Sequence, residues 1–307
     1  MPTTLIDSAI FGDIFSTDPM RRVWSDENRT QKYLDIEATL ARVQARLGVI
    51  PREAAEEINR HCRIEEIDLT KLKRDTERIG YPVLGVVRQL NALCRDRLGE
   101  YCHWGTTMQD ITDTATVLQM REALALIEVD LSEIADVLAA LARKHRDTPM
   151  IGRSNLQQAV PITFGYKMAA LLAAVERHCQ RLSELRPRVL VGEFGGACGT
   201  LASLQKGALE TQAGLTKELE LGVPEARQIL VVNRQGVGSF DGQMVGKAVA
   251  QGKARSRACW NYTSGLIRSG RTSKHKPERE NGKANISVPR TRPKALSRNI
   301  RSLLRGL

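Results

Sequence analysis

Two stretches of this chain carry apolar residues at alternating steps of four and three. The first runs Met120, Leu124, Ile127, Leu131, Ile134, Leu138 and Leu141; the second runs Phe164, Met168, Leu171, Val175, His178, Leu182 and Leu185. Strands repeat every second residue, so this spacing specifies helix. At about 1.5 Å per residue each stripe is more than ~30 Å long. Stripes of that length pack against other long helices at shallow angles. The expected fold is all-α: an elongated helical bundle, shared between subunits because a small domain has little use for such rods.

The rest of the first 220 residues reads in the same way. Tyr33, Ile36, Leu40, Val43 and Leu47 place another helix after Ser25-Asp26-Glu27, which supplies a capping hydroxyl and negative charge at its start. Gly48 and Pro51 end it and open the next. Shorter helices are expected at about 52–62, 67–79 and 83–97. No strand-rich segment of comparable strength is evident. His178 lies on an apolar stripe, which points to a core position rather than a catalytic one.

Charge divides the chain unevenly. The formal net charge is +11, yet residues 251–307 hold 15 Lys/Arg and 2 Asp/Glu, against 31 and 33 in residues 1–250. The basic character therefore belongs to the last stretch, where Pro277, Pro289 and Pro293 and few apolar residues predict disorder. Only Trp260 and Tyr262 could stack on bases there, which disfavours a nucleic-acid partner. The expected organisation is a helical region at 1–109, an incomplete long-helix bundle at 110–235 and a divergent basic tail at 236–307. The six cysteines are scattered, without C-x-x-C spacing, which fits a reducing compartment and offers no metal pattern. No signal region or membrane-length apolar run is evident, so the expectation is a cytoplasmic protein without a membrane partner.

Polar loops flank the rods. His103, Thr106, Thr107 and Gln109 precede the first, with Asp110 at its start. Hydroxyl and amide donors beside free helix N–H groups can cradle a carboxylate, or Thr107 and Asp110 can simply cap the helix. Arg153, Ser154, Asn155, Gln157 and Gln158 precede the second rod. Arg153 can pair with a carboxylate through two hydrogen bonds, or the segment can be a plain polar connection. With the two loops at corresponding ends of paired rods, an anion site is expected between them. A third loop, Gly192 to Thr200, has four glycines and reads as a helix break rather than a phosphate loop.

These segments carry a resemblance. Gly152-Arg153-Ser154-Asn155-Leu156-Gln157-Gln158 and His103-Trp104-Gly105-Thr106-Thr107-Met108-Gln109-Asp110 resemble two of the three active-site blocks of the class II fumarase/aspartase superfamily. Phe11 to Thr17, Met20 to Glu27 and Phe194 to Ala202 extend the similarity across roughly residues 8–235, most closely to the 3-carboxy-cis,cis-muconate cycloisomerase and adenylosuccinate lyase-like branch. The resemblance implies a homotetramer with a twenty-helix core, sites drawn from three subunits, a small polycarboxylate substrate, and no cofactor or metal. It makes His103 the residue that assists proton transfer. Thr107, Arg153 and Gln157 become substrate-binding residues, with Thr106, Gln109, Ser154 and Asn155 as further donors.

The departures from the family pattern are equally specific. Met108 stands where a second hydroxyl is usual, and Asn155 stands where many members have an acidic histidine. Ile14-Phe15 and Gly80-Tyr81-Pro82 replace residues used for a nucleotide, which favours the cycloisomerase side. The third block, of the form G-S-S-x-M-P-x-K-x-N-P, does not occur in this sequence. The implied chain is a shortened or altered lyase or cycloisomerase, inactive alone; the alternative is an inactive bundle protein that co-assembles with full-length paralogues.

Overall fold

The computed structural model describes residues 4–6, 8–204 and 206–224. The disorder expected of the basic tail falls outside them. Two short helices, α1 (Gly12–Phe15) and α2 (Asp18–Val23), lead into α3 (Asp26–Arg46). Ser25 starts α3 as anticipated: its hydroxyl accepts from the Asn28 backbone N–H at 3.1 Å. Tyr33, Ile36, Leu40 and Val43 are all buried, whereas Leu47, past the last helical turn, is exposed. Leu34, Ala38, Ala41 and Ala45 are buried as well, so α3 is enclosed on most sides rather than along one stripe.

Around α3 stand α4 (Arg52–His61), α6 (Val83–Leu93), the first turns of α7 (Met108–Lys144) and α9 (Ala208–Glu218). The short α5 (Leu69–Ile79) opens with Asp68 accepting from the Thr70 and Lys71 N–H groups. Ile58, Leu90, Ile111, Leu118, Phe194 and Leu215 join α3 in a single core cluster. Residues from both sides of position 110 therefore build one core.

Helix α7 is 37 residues long in all, about 55 Å at 1.5 Å per residue, and its outer length runs beyond that core. The chain reverses through β1 (Pro149–Ser154) and β2 (Gln157–Thr163), then returns as α8 (Phe164–Val189) packed along α7. The sequence reads this region as a polar loop; the structure pairs it as an antiparallel ribbon within an otherwise helical fold. Its pairing runs from Pro149 opposite Thr163 to Ser154 opposite Gln157, with an irregularity at Gly152. Pro161 is tolerated because a two-stranded ribbon has only edges. Gly165 closes the return: its N–H donates to the His145 carbonyl at 2.8 Å, and an added Cβ would lie 2.6 Å from the Ala142 oxygen.

The two rods are helical where the heptads placed them, but their stripes are only partly covered. Leu124, Leu131 and Leu138 are half-buried, while Met120, Ile127 and Ile134 are 37%, 38% and 47% exposed. His178 is exposed and lies 3.1 Å from Arg181, against the expectation of a core position. The spacing is right; the partner for that face is not within the described residues. No described helix is long and apolar enough to cross a membrane.

Candidate active site

Tyr33, Glu37, Leu40 and Gln44 follow at steps of four, three and four, so they share one face of α3. All four are buried. The two polar members reach the turn before α7. Glu37 Oε1 lies 2.6 Å from His103 Nδ1, and Oε2 accepts from the His103 backbone N–H at 3.0 Å. The Cys102 thiol adds a third contact to Oε2 at 3.6 Å. Two helical turns on, Gln44 Nε2 donates to the Trp104 carbonyl at 2.8 Å. His103 is thereby held with φ at +62°, a region that L residues enter at a cost. Gly105 follows at φ +75°, and a Cβ there would come within 2.5 Å of Leu204.

The glycine-rich loop closes the other side. Asp110 accepts from the Gly195 and Gly196 N–H groups at 3.2 and 2.9 Å, from the Thr107 N–H at 3.0 Å and from the Thr106 hydroxyl at 3.0 Å. Reaching back to Thr107 is the returning half of a capping box. The amides that a phosphate would need are thus taken by the chain's own carboxylate. Gln109 Nε2 is likewise bound to Asp113 at 2.6 Å. The capping reading accordingly accounts for Thr106, Thr107 and Asp110, and Gln109 is spent within the helix, leaving His103 as the part of this loop freest to meet a ligand.

Electrostatics favour a charged His103. Burial pulls its pKa down, but the Glu37 charge, the hydrogen bond to it and the Asp110 charge outweigh that, and the pKa is raised. Burial pushes the Cys102 thiol pKa well up, and Glu37 pushes it further, which disfavours the thiolate. No cluster of three or more His, Cys, Asp or Glu among the described residues could hold a metal ion.

Arg153, Ser154, Asn155 and Gln157 lie elsewhere. They form the tip of the β1–β2 ribbon and all are exposed. Arg153 makes no ion pair with any described residue. Asn155 and Leu156 take φ values of +48° and +63°, the pattern of a two-residue turn with both central residues left-handed. The expectation that both polar loops lie at corresponding ends of the rods is overturned. One precedes α7 and the other follows it, so the helix itself separates them by about 55 Å. The glycine-rich loop, which follows α8, is the one that the antiparallel return brings to His103. Glu37 and Gln44 went unread in the sequence; their signal was two polar residues in register with Tyr33 and Leu40.

The sequence matches the lyase family over residues 14–231. The chain belongs to this family. Over 222 residues this lyase-family chain is 57% identical to trans-aconitate decarboxylase 1 of Mycosarcoma maydis, an alignment covering 72% of this chain and 45% of that protein. It is 48% identical over 219 residues to the 3-carboxy-cis,cis-muconate cycloisomerase of Pseudomonas aeruginosa, covering 70% and 48%. Among solved structures, the 3-carboxy-cis,cis-muconate lactonizing enzyme from Pseudomonas putida superposes with a TM-score of 0.69 at 42% identity, covering 71% of this chain and 50% of that one. The fold is therefore the helical bundle of the fumarase/aspartase type. The chain spans about half the length of the curated relatives it matches. The resemblance drawn from the sequence alone included cycloisomerisation but not decarboxylation.

Proposed function

We propose that this chain contributes to a lyase- or cycloisomerase-type reaction on an unsaturated polycarboxylate, in an active site shared between chains. The observation that carries this reading is the distance between two chemically furnished ends. His103, clamped by Glu37, sits at one end of α7, and an exposed Arg153 without an ion-pair partner among the described residues sits at the other. Only another chain's ribbon can bring an Arg153 to this chain's His103. The two relatives named above for their substrates take trans-aconitate and 3-carboxy-cis,cis-muconate, both unsaturated tricarboxylates.

In this reading Arg153, Asn155 and Gln157 of one chain hold substrate carboxylates, and Thr107 of another adds a hydroxyl. In the lyase direction, proton removal beside a carboxylate gives an enediolate from which the neighbouring bond breaks; in the cyclising direction the bond forms first and the resulting enediolate takes up the proton, and in both these donors stabilise its negative charge. His103 supplies or steadies the proton at the group that leaves or closes. The Ser-bearing loop is not within these 307 residues, so we assign that role to a full-length relative in a mixed oligomer. Residues 1–109 supply the His103 end and residues 110–235 the rods, in the cytoplasm. The chain alone is inactive.

The test is complementation. A full-length cycloisomerase relative, disabled at its own second-block arginine, is co-expressed with this chain and assayed on 3-carboxy-cis,cis-muconate and on trans-aconitate. Turnover by the mixture, and by neither chain alone, is the expected result. A mixed oligomer without turnover on either compound would support the inactive-bundle reading instead. Absence of any mixed oligomer would sink both.

A further inference from the structure

We propose that Glu37 is the positioning residue that fixes the His103 ring and reserves its Nε2 for the substrate. This rests on the reading of His103 given above. Glu37 belongs to α3, far from either polar loop in sequence, yet both its carboxylate oxygens are spent on the 102–103 turn. A carboxylate that is 1% exposed is costly unless a cation offsets it. No described Lys or Arg pairs with Glu37; His103 is its only ion-pair partner among the described residues. A glutamine or an apolar residue would fill the same place without that penalty, so packing alone does not explain a carboxylate here.

The geometry explains what the carboxylate gains. Oε1 takes the Nδ1 side of the ring and Oε2 takes the backbone N–H of the same residue, so the imidazole is fixed both in rotation and in position. Gln44 holds the next carbonyl and prevents the turn from pivoting. Nδ1 faces a sealed carboxylate, while the ring keeps 18% of its exposure. Nε2 makes no hydrogen bond to any described residue, and it is the nitrogen left for a ligand. A histidine whose second nitrogen is tied to a carboxylate has its tautomer chosen for it: neutral, it carries the proton on Nδ1 and offers Nε2 as an acceptor; protonated, it offers Nε2–H as a donor. The other titratable groups that bear on the ring are Asp110, from α7, and Cys102, which shares the carboxylate. Asp110 acts in the same direction as Glu37, and Cys102 stays a neutral thiol.

The test uses the full chain with 15N-labelled histidine, alone and in the mixed oligomer, with His103→Gln to assign the signal. In the unsubstituted chain the neutral form of His103 should carry its proton on Nδ1, and its titration should lie above that of an ordinary histidine. Finding the proton on Nε2 would overturn the proposal with no variant needed. Glu37→Gln should move the His103 titration down by about one pH unit or more, since a neutral amide supplies no charge. Glu37→Asp keeps the charge but withdraws it from the ring and should fall between the two. Unchanged titration in Glu37→Gln would overturn the proposal. Where the mixed oligomer turns over substrate, Glu37→Gln should shift the pH profile of kcat in the same direction while changing KM little. A mixed oligomer with no activity but with the expected titrations would refute the functional reading while leaving the clamp intact. Activity with an unaltered pH profile in Glu37→Gln would do the reverse.

Discussion

Helix α3 and the outer length of the α7–α8 hairpin are written in the same grammar of apolar residues at steps of three and four. Within this chain they meet different fates. Around α3 the stripe is overfilled: Leu34 and Ile36 are fully buried, and even Glu37 and Gln44 are sealed inside. Along the rods the stripe is underfilled, with Met120, Ile127, Ile134, Leu171 and Leu185 left facing outward. Burying a large apolar side chain is worth roughly 1.5–3 kcal/mol, so each of these is stabilisation not realised among the described residues. Periodicity thus reports that a face will be buried; it does not report by whom. The polar groups follow the same division: His103 is held by Glu37, whereas Arg153 is exposed and makes no ion pair with any described residue.

The sharpest way to break this comparison is to cut one methyl-bearing side chain from each region. Ile58→Ala, in the core shared by α3 and α4, should lower unfolding free energy by about 2–5 kcal/mol, with a cavity left behind. Ile134→Ala, at a half-exposed site, should change it by no more than about 0.5 kcal/mol in the monomer. Urea unfolding at low protein concentration measures both. If Ile134→Ala matches Ile58→Ala under those conditions, the rod is covered after all. Ile127→Asp together with Ile134→Asp sharpens the point. It should abolish self-association in sedimentation velocity while leaving the monomer's urea midpoint nearly unchanged.

A smaller effect tests the turn-round of the rods. Gly165→Ala places a Cβ against the Ala142 and His145 carbonyls and the Arg146 backbone, none of which can yield as a side chain would. A loss of about 1–3 kcal/mol is expected, as for overpacking. It should be felt mainly in the ribbon, where amide exchange of residues 149–163 would quicken before that of α3. Uniformly faster exchange would mean that the two regions unfold as one.

What could be read in the sequence divides along the same line. Ser25 and the α3 stripe, the two rods and the His103 block were all legible, because capping and helical spacing are local properties. The β1–β2 ribbon was not, since Arg153-Ser154 and Gln157-Gln158 show no apolar alternation and Pro161 argues against a strand. Glu37 escaped notice because a glutamate in a helix is ordinarily on the wet face, and only its register with Tyr33 and Leu40 marked it as interior. The separation of His103 from Arg153 was legible in principle: 37 helical residues stand between them.

Acid and base distinguish the clamped end from the free one. The His103 pKa is raised in the folded chain, so its pairing with Glu37 stabilises the fold fully below the ordinary histidine value, and that contribution is lost as pH rises through the raised value. Urea midpoints should therefore decline from mildly acidic to mildly alkaline pH. Glu37→Gln should flatten the decline. Arg153→Gln, at the exposed tip, should leave the slope as it is. A slope that survives Glu37→Gln would have to come from another group.

The smallest expected effect lies at the ribbon's tip, and it has opposite signs in two measurements. Leu156 is 102% exposed and sits at φ +63°, where a residue with a Cβ pays about 1–2 kcal/mol and glycine pays little. Asn-Gly is the favoured pair for such a turn. Leu156→Gly should accordingly slow amide exchange in the ribbon by up to about tenfold, with no change in the core. A leucine kept under strain and in full contact with water is costly twice over within one chain, and both costs are offset only if another chain covers it. The same substitution should therefore weaken association while it tightens the ribbon. If both measures improve together, Leu156 contacts nothing in the assembly, and the outer rod, rather than its tip, carries the interface.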